Sequence, residues 1–257
     1  MSTNLDPARP AGPDETINLR DTYVPHGRGV PFENGWTWIS SAFSIFKRAA
    51  GVWIGMIIVL CLIYIVLGVI PVVGAIASLA AGPVFTGGLM LASRTIDQGG
   101  EAQFSQLFGG FKHRFGALVG VGVLYLVGFA AILFIVVLTT GASVFTVINA
   151  TTPEEVMAAG AGLLLAALIF FALLIPLLMA VWFAPPLVVF HDVGAVAAMK
   201  ASFAGCLHNM LPFLLYGIVW FIASIVASIP LMLGWLVLAP VTAASIYTAY
   251  KDIYFNT

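Results

Sequence analysis

GVWIGMIIVLCLIYIVLGVI, residues 51–70, runs for twenty residues without a charge. Wound as a helix at about 1.5 Å per residue it would measure about 30 Å, the thickness of a bilayer's hydrocarbon core. The rest of the chain resembles it: 61% of residues are hydrophobic and 8% charged, and the mean hydropathy is +1.07. That balance excludes an ordinary soluble domain. The fold class is all-α and integral to a membrane.

Further uncharged runs cover residues 72–93, 115–148, 156–190, 210–229 and 231–250, which predicts six transmembrane helices. The links at Pro71 and Pro230 are short, so the first and last pairs should form antiparallel hairpins, with proline ending one helix and starting the next. In this scheme every Lys and Arg falls on one side: Arg9, Arg20, Arg28, Lys47 and Arg48 before the first span, Arg94, Lys112 and Arg114 after the second, then Lys200 and Lys251. The opposite loops carry Glu154 and Glu155 alone. The positive-inside rule then places both termini in the cytoplasm. Residues 1–34 are rich in proline and lack the charged and apolar regions of a cleavable signal, so they are expected to remain as a flexible cytoplasmic tail before a membrane domain at 35–257.

One pattern recurs before each odd-numbered span. Trp36, Phe43 and Phe46, then Phe104, Phe108 and Phe111, then Met199, Phe203 and Leu207 repeat at helical spacing. Each set predicts a short amphipathic helix lying in the headgroup region with its apolar face toward lipid. The even-numbered spans carry Pro83, Pro185 and Pro240, preceded by Ile-Pro pairs at Pro71, Pro176 and Pro230. Three copies of one unit follow, interfacial helix plus hairpin, at about 36–98, 103–193 and 196–253. The prolines read as kinks of the architecture, each deleting one helical hydrogen bond. The middle unit is longer, with 65 residues from Phe111 to Pro176 against 25 from Phe46 to Pro71, so its helices should project past the membrane or turn again near Thr151, Thr152 and Pro153.

The pieces GWTWISSAFSIFK, IPVVG, GPVFTGGLMLASRTIDQG, QFSQLFGGF, PPLVVFHD, AMKASFAGCLHNMLPF and YTAYKD make residues 35–252 similar to the BPSS-type transmembrane proteins, a family of uncharacterised bacterial inner-membrane proteins. The resemblance implies several spans in the cytoplasmic membrane of a Gram-negative bacterium and no activity that can be assigned to residues.

Candidate chemistry is thin. His191, Asp192, Cys206 and His208 are donors that suit a transition metal, but their spacing is no ligand signature, and Asp192 reads better as a cap for the next helix. Cys61 reads as apolar filler, His113 as part of a basic surface, and Trp36, Trp38, Trp53, Trp235, Tyr247 and Tyr250 as an interfacial belt. Gly116 and Gly120 form a GxxxG suited to close helix packing. No ionisable residue falls near the middle of a span, where proton relays and ion paths usually keep one. The expectation is a non-enzymatic scaffold, assembly or lipid-organising protein without cofactor or metal. Its partners would be membrane lipids and either a second copy or another membrane protein. Ten scattered cations give no nucleic-acid surface. The alternative is a carrier or exporter of an apolar or amphiphilic small molecule or lipid.

Overall fold

A computed structural model describes residues 23–256. Among these the chain is helical, with no strand and one isolated β-bridge between Tyr23 and Phe255. Helix α1 (Asn34–Arg48) leads into α2 (Ala50–Gly68) and α3 (Val73–Asp97). A 3-10 turn (Phe104–Phe108) and α4 (Gly109–Lys112) lead into α5 (Phe115–Asn149), α6 (Pro153–Trp182) and α7 (Ala184–His191). Helix α8 (Ala195–His208) leads into α9 (Met210–Ser228) and α10 (Trp235–Tyr254). The short helices stand where the amphipathic patterns predicted them.

Five stretches are long and apolar enough to cross a bilayer: α2, α3, α5, α6 continued by α7, and α9. The expected sixth, α10, is of another kind. It carries Thr242, Ser245, Thr248, Lys251 and Asp252, and Val241, Ala244, Tyr247, Tyr250, Ile253 and Tyr254 along it are buried. Helix α3 is the next most enclosed, with 44% of its most apolar window buried, against 6% for α6 with α7. The core therefore gathers around α10, α1 and the second half of α3, with Trp38, Trp53, Met56, Met90, Leu107, Phe183 and Tyr254 fully buried. Exposed aliphatic side chains cover α2, α5, α6 and α9, as lipid-facing helices require.

Glycine sets the closest approaches. A Cβ on Gly110 would lie 2.0 Å from the Val84 carbonyl oxygen, and one on Gly122 would lie 2.4 Å from that of Ala80. Only a hydrogen fits at these crossings of α3 with α4 and α5. The expected GxxxG contact is absent at Gly116, which has open space beside it, so Gly122 takes the role assigned to that motif.

The middle hairpin turns in the gap expected between the runs 115–148 and 156–190, but its Ile-Pro pair does not mark that turn. Pro71 and Pro230 lie in turns, but Pro176 lies inside α6, and the turn falls at residues 150–152. Thr152 and Glu155 form a capping box with Pro153 at the first helical position, which specifies a helix start more strongly than an Ile-Pro pair within an apolar run. Helix α5 has 35 residues against 19 in α2, which extends this hairpin about 24 Å farther at 1.5 Å per residue.

The expected tail is also shorter than 1–34. Val24 N donates to Tyr254 O at 2.9 Å, Arg28 N to Ile253 O at 2.8 Å, and Val30 N to the Asn209 side chain at 2.9 Å. Residues 23–33 are docked because these backbone groups find partners at the end of α10 and of α8. The rest of the expected tail lies outside the described residues.

Candidate functional site

At one end of the bundle polar contacts tie α1 and α3 to α10, and tie α10 and the end of α8 to residues 23–30. Asp252 on α10 is the centre of one cluster. Its carboxylate accepts from Arg28 at 3.2 Å, from Asn34 Nδ2 at 2.7 Å and from Trp38 Nε1 at 2.8 Å. Beside it on α10, Lys251 Nζ donates to Asp97 Oδ2 at 2.5 Å, and Tyr247 OH, a turn earlier, donates to the same oxygen at 3.0 Å. Arg48 donates to the Ile96 carbonyl at 3.3 Å, and Thr248 to that of Trp38 at 2.8 Å. A helix of mixed polarity such as α10 belongs here, since the acceptors and donors it carries would be costly against lipid.

A recess of about 400 Å³ opens between these helices, lined by Asn34, Ser41, Ser44, Arg48, Asp97 and Lys251 among others. It holds charges of both signs, Asp97 paired with Lys251 and Arg48 held by a backbone carbonyl. Such a lining suits a polar or zwitterionic group and offers no nucleophile held against a base.

Asn209 pins the amino-terminal segment. Buried at the end of α8, it donates to Arg28 O and to Gly205 O, each at 2.8 Å, while its oxygen holds Val30 N. Ser202 repairs the break between α6 and α7. Pro185 and Pro186 take two donors from the ladder and crowd the turn before them, and the chain bends at Phe183; the Ser202 hydroxyl bridges the opened 183-to-179 step, accepting from Phe183 N at 2.9 Å and donating to Met179 O at 2.6 Å. Sequence reading named neither residue, because a lone Ser or Asn on a short helix has no periodic signal.

The four donors considered for a metal are dispersed. His191 shares a hydrogen bond of 2.5 Å with Tyr250 OH and stacks on Tyr23 with ring centroids 3.7 Å apart. Asp192 does not cap the next helix, which Gly194 precedes: it is the C-cap of α7 in a left-handed conformation and pairs with Arg114, Nε to Oδ1 at 3.2 Å. Cys206 is buried with its thiol toward Met179 O, and His208 is exposed at the end of α8. Burial pushes the Cys206 thiol up to about 12 and raises the Tyr23 phenol as well. Among the described residues, no three His, Cys, Asp or Glu side chains converge on a point.

Most of the expected interfacial face is where the pattern put it. Trp36, Phe43, Phe104, Phe108, Phe111, Phe203 and Leu207 are exposed and Met199 half-buried, but Phe46 turns inward with Trp38, Ala42 and Ile45. The expected belt needs a larger correction. Trp38, Trp53, Tyr247 and Tyr250 are core residues, drawn in because Trp38, Tyr247 and Tyr250 find hydrogen-bond partners inside the charged end. Pro83 and Pro240 lie inside α3 and α10, whereas Pro185 stands at the start of α7. Cys61 is exposed on α2, and His113 is exposed beside Lys112.

No family model and no solved structure matches this chain. It is similar to a probable inner membrane protein of Burkholderia thailandensis, 28% identical over 200 residues that cover 75% of this chain and 74% of that protein. With five membrane-capable helices, this agrees with the resemblance to inner-membrane proteins of uncharacterised role.

Proposed function

We propose that the chain is a non-enzymatic scaffold or lipid-organising protein of the bacterial inner membrane. In this reading it crosses the bilayer six times, with α10 as an inner span and both termini in the cytoplasm. The observation that carries the reading is the cross-bracing of the charged end. Asp252, Asp97 and Asn209 link four separate parts of the chain there, and a protein that admits cargo from that side would have to break these links at every cycle.

Supporting it, the order short helix, long helix, long helix occurs three times along the described residues, and the Lys and Arg among them fall before, between or after the hairpins in sequence. The exposed aromatic faces of α1, the 3-10 turn with α4, and α8 would lie against lipid headgroups, leaving the braced surface as a platform for a second copy or another membrane protein.

Native mass spectrometry of protein gently extracted from its own membrane tests this. A stoichiometric partner or a defined homo-oligomer is expected. A monomer that retains one defined amphiphile would put a carrier in place of the scaffold. The topology is checked by Glu154→Cys and Lys200→Cys in a cysteine-free background: a membrane-impermeant thiol reagent added to intact spheroplasts should label the first and not the second.

A further inference from the structure

Residues of α2, α3, α5, α6, α7 and α10 line a second recess of about 390 Å³, open on one side of the bundle. Its walls include Tyr64, Ser78, Pro83, Tyr125, Trp182 and Pro185, and no ionisable acid or base lines it. Tyr64 stands about 21 Å along α2 and Tyr125 about 15 Å along α5 from the charged ends of those helices, which sets the cavity at the depth of the hydrocarbon core.

The helix-borne phenols here differ from those elsewhere in the bundle, although among aliphatic hydroxyls Thr140 on α5, outside this recess, also makes no hydrogen bond with a described residue. Six tyrosines lie on helices, and Tyr216, Tyr247, Tyr250 and Tyr254 each make a hydrogen bond. Tyr64 and Tyr125 make none with any described residue, and both line this cavity. Ser78 is a third case. Thr86, Ser93, Thr139, Ser143, Thr146, Ser228 and Thr242 bond back to the carbonyl four residues earlier, the usual way to carry a hydroxyl on a helix in lipid. Ser78 Oγ makes no such bond. Three hydroxyls without partners thus line one recess, beside Trp182, whose buried Nε1 also has no partner, and at the depth of the hydrocarbon core an unmet polar group is costly.

We infer that this cavity is a binding site for one uncharged, membrane-soluble molecule whose carbonyl or hydroxyl oxygens pair with Tyr64, Tyr125 and Ser78. The absence of ionisable groups excludes a charged headgroup, and the tyrosine, tryptophan and proline rings form apolar walls for a flat or slender body. The chemistry is shared by ring carbonyls, as in a quinone, and ester carbonyls, as in a glyceride. The inference stands apart from the scaffold reading, since a bound molecule of this kind serves equally as a structural component.

The test uses full-length protein in dodecyl maltoside, titrated with decylubiquinone, with dioctanoylglycerol, and with n-dodecane as a probe of similar apolarity without oxygen. Bound stoichiometry is read by native mass spectrometry. One equivalent of an oxygen-bearing probe should bind, and the double variant Tyr64→Phe, Tyr125→Phe should bind it about tenfold or more weakly. The same variant should unfold at the wild-type detergent concentration when empty, because the deleted hydroxyls have no protein partner; this separates a ligand role from a structural one. Binding of decylubiquinone alone assigns a ring carbonyl, and of dioctanoylglycerol alone an ester. Failure of both probes, affinity unchanged in the double variant, or dodecane binding as tightly would overturn the site.

Discussion

The charged end joins its helices by bonds that run between elements, whereas the hairpin of α5 and α6 satisfies its polar groups within itself. At the charged end, Asp252 reaches residues 28, 34 and 38, and Asp97 reaches 247 and 251. Along the far half of α5, Thr139, Ser143, Thr146 and Asn149 all donate to carbonyls of their own helix, and Glu155 folds back on Thr151 and Thr152. One region is a fixed joint; the other is a pair of helices built to stand in a low-dielectric surrounding with little help from neighbours. Substitutions should therefore act through the whole fold in the first region and only locally in the second.

The largest effect is expected from Gly110→Val. Its Cβ would meet a backbone oxygen of α3, which cannot move aside as a side chain would, so the cost should be at least about 3 kcal/mol. Most of that variant should be lost to aggregation on extraction, as seen by size-exclusion chromatography. Gly141→Ala in the arm is the matched control. Nothing lies within 4 Å of a Cβ there, and alanine favours helix, so stability should hold or rise by less than about 1 kcal/mol. Equal damage from both would break the comparison.

Asp252→Ala ranks next. It strips the acceptor from Asn34 and Trp38, whose indole is buried, and should cost about 2 to 3 kcal/mol in a sodium dodecyl sulfate titration followed by tryptophan fluorescence. Hydrogen exchange should rise in α1 and at the end of α10 while α5 and α6 keep wild-type protection. A uniform rise across both regions would show that the two are not energetically separate.

Much of the frame could be read in advance. Apolar runs located the long helices, because lipid permits only one backbone solution, and aromatic spacing located the short ones. Three features resisted. The burial of α10 depends on partners distant in sequence, so its Trp- and Tyr-rich surroundings looked like an interfacial belt. The Ile-Pro pair at Pro176 looked like the pairs at the turns of Pro71 and Pro230 but lies inside α6, although the turn near Thr152 itself was legible in the gap between two apolar runs. Ser202 and Asn209 are single polar residues whose importance arises when a helix break and a docked segment come to lie beside them. The tyrosines of the inner cavity were invisible for the same reason: a phenol is unusual only once its lack of a partner is known.

Ser202→Ala sharpens the comparison at the break. It leaves the buried Phe183 N–H with only the strained contact to the Val181 carbonyl two residues earlier, and should cost about 1 to 2 kcal/mol in the same titration. Ser202→Cys, which keeps a weak donor and little acceptor strength, should recover only part of that loss. Full stability of the alanine variant would mean that the two prolines alone define the break.

The smallest loss is expected from Thr152→Ala at the arm's tip. The threonine accepts from Glu155 N at 3.3 Å in an exposed turn, and loss of such a cap costs about 1 kcal/mol or less where water can take its place. Faster hydrogen exchange should be confined to the first turns of α6, with the charged end unaffected. Phe145, Ile148 and Met157 stand exposed around this tip, so a penalty as large as that of Ser202→Ala would indicate that the tip is held by something outside the chain. The arm would then be a second joint, completed by lipid or by a neighbouring molecule, and the contrast with the charged end would lie only in where the partner comes from.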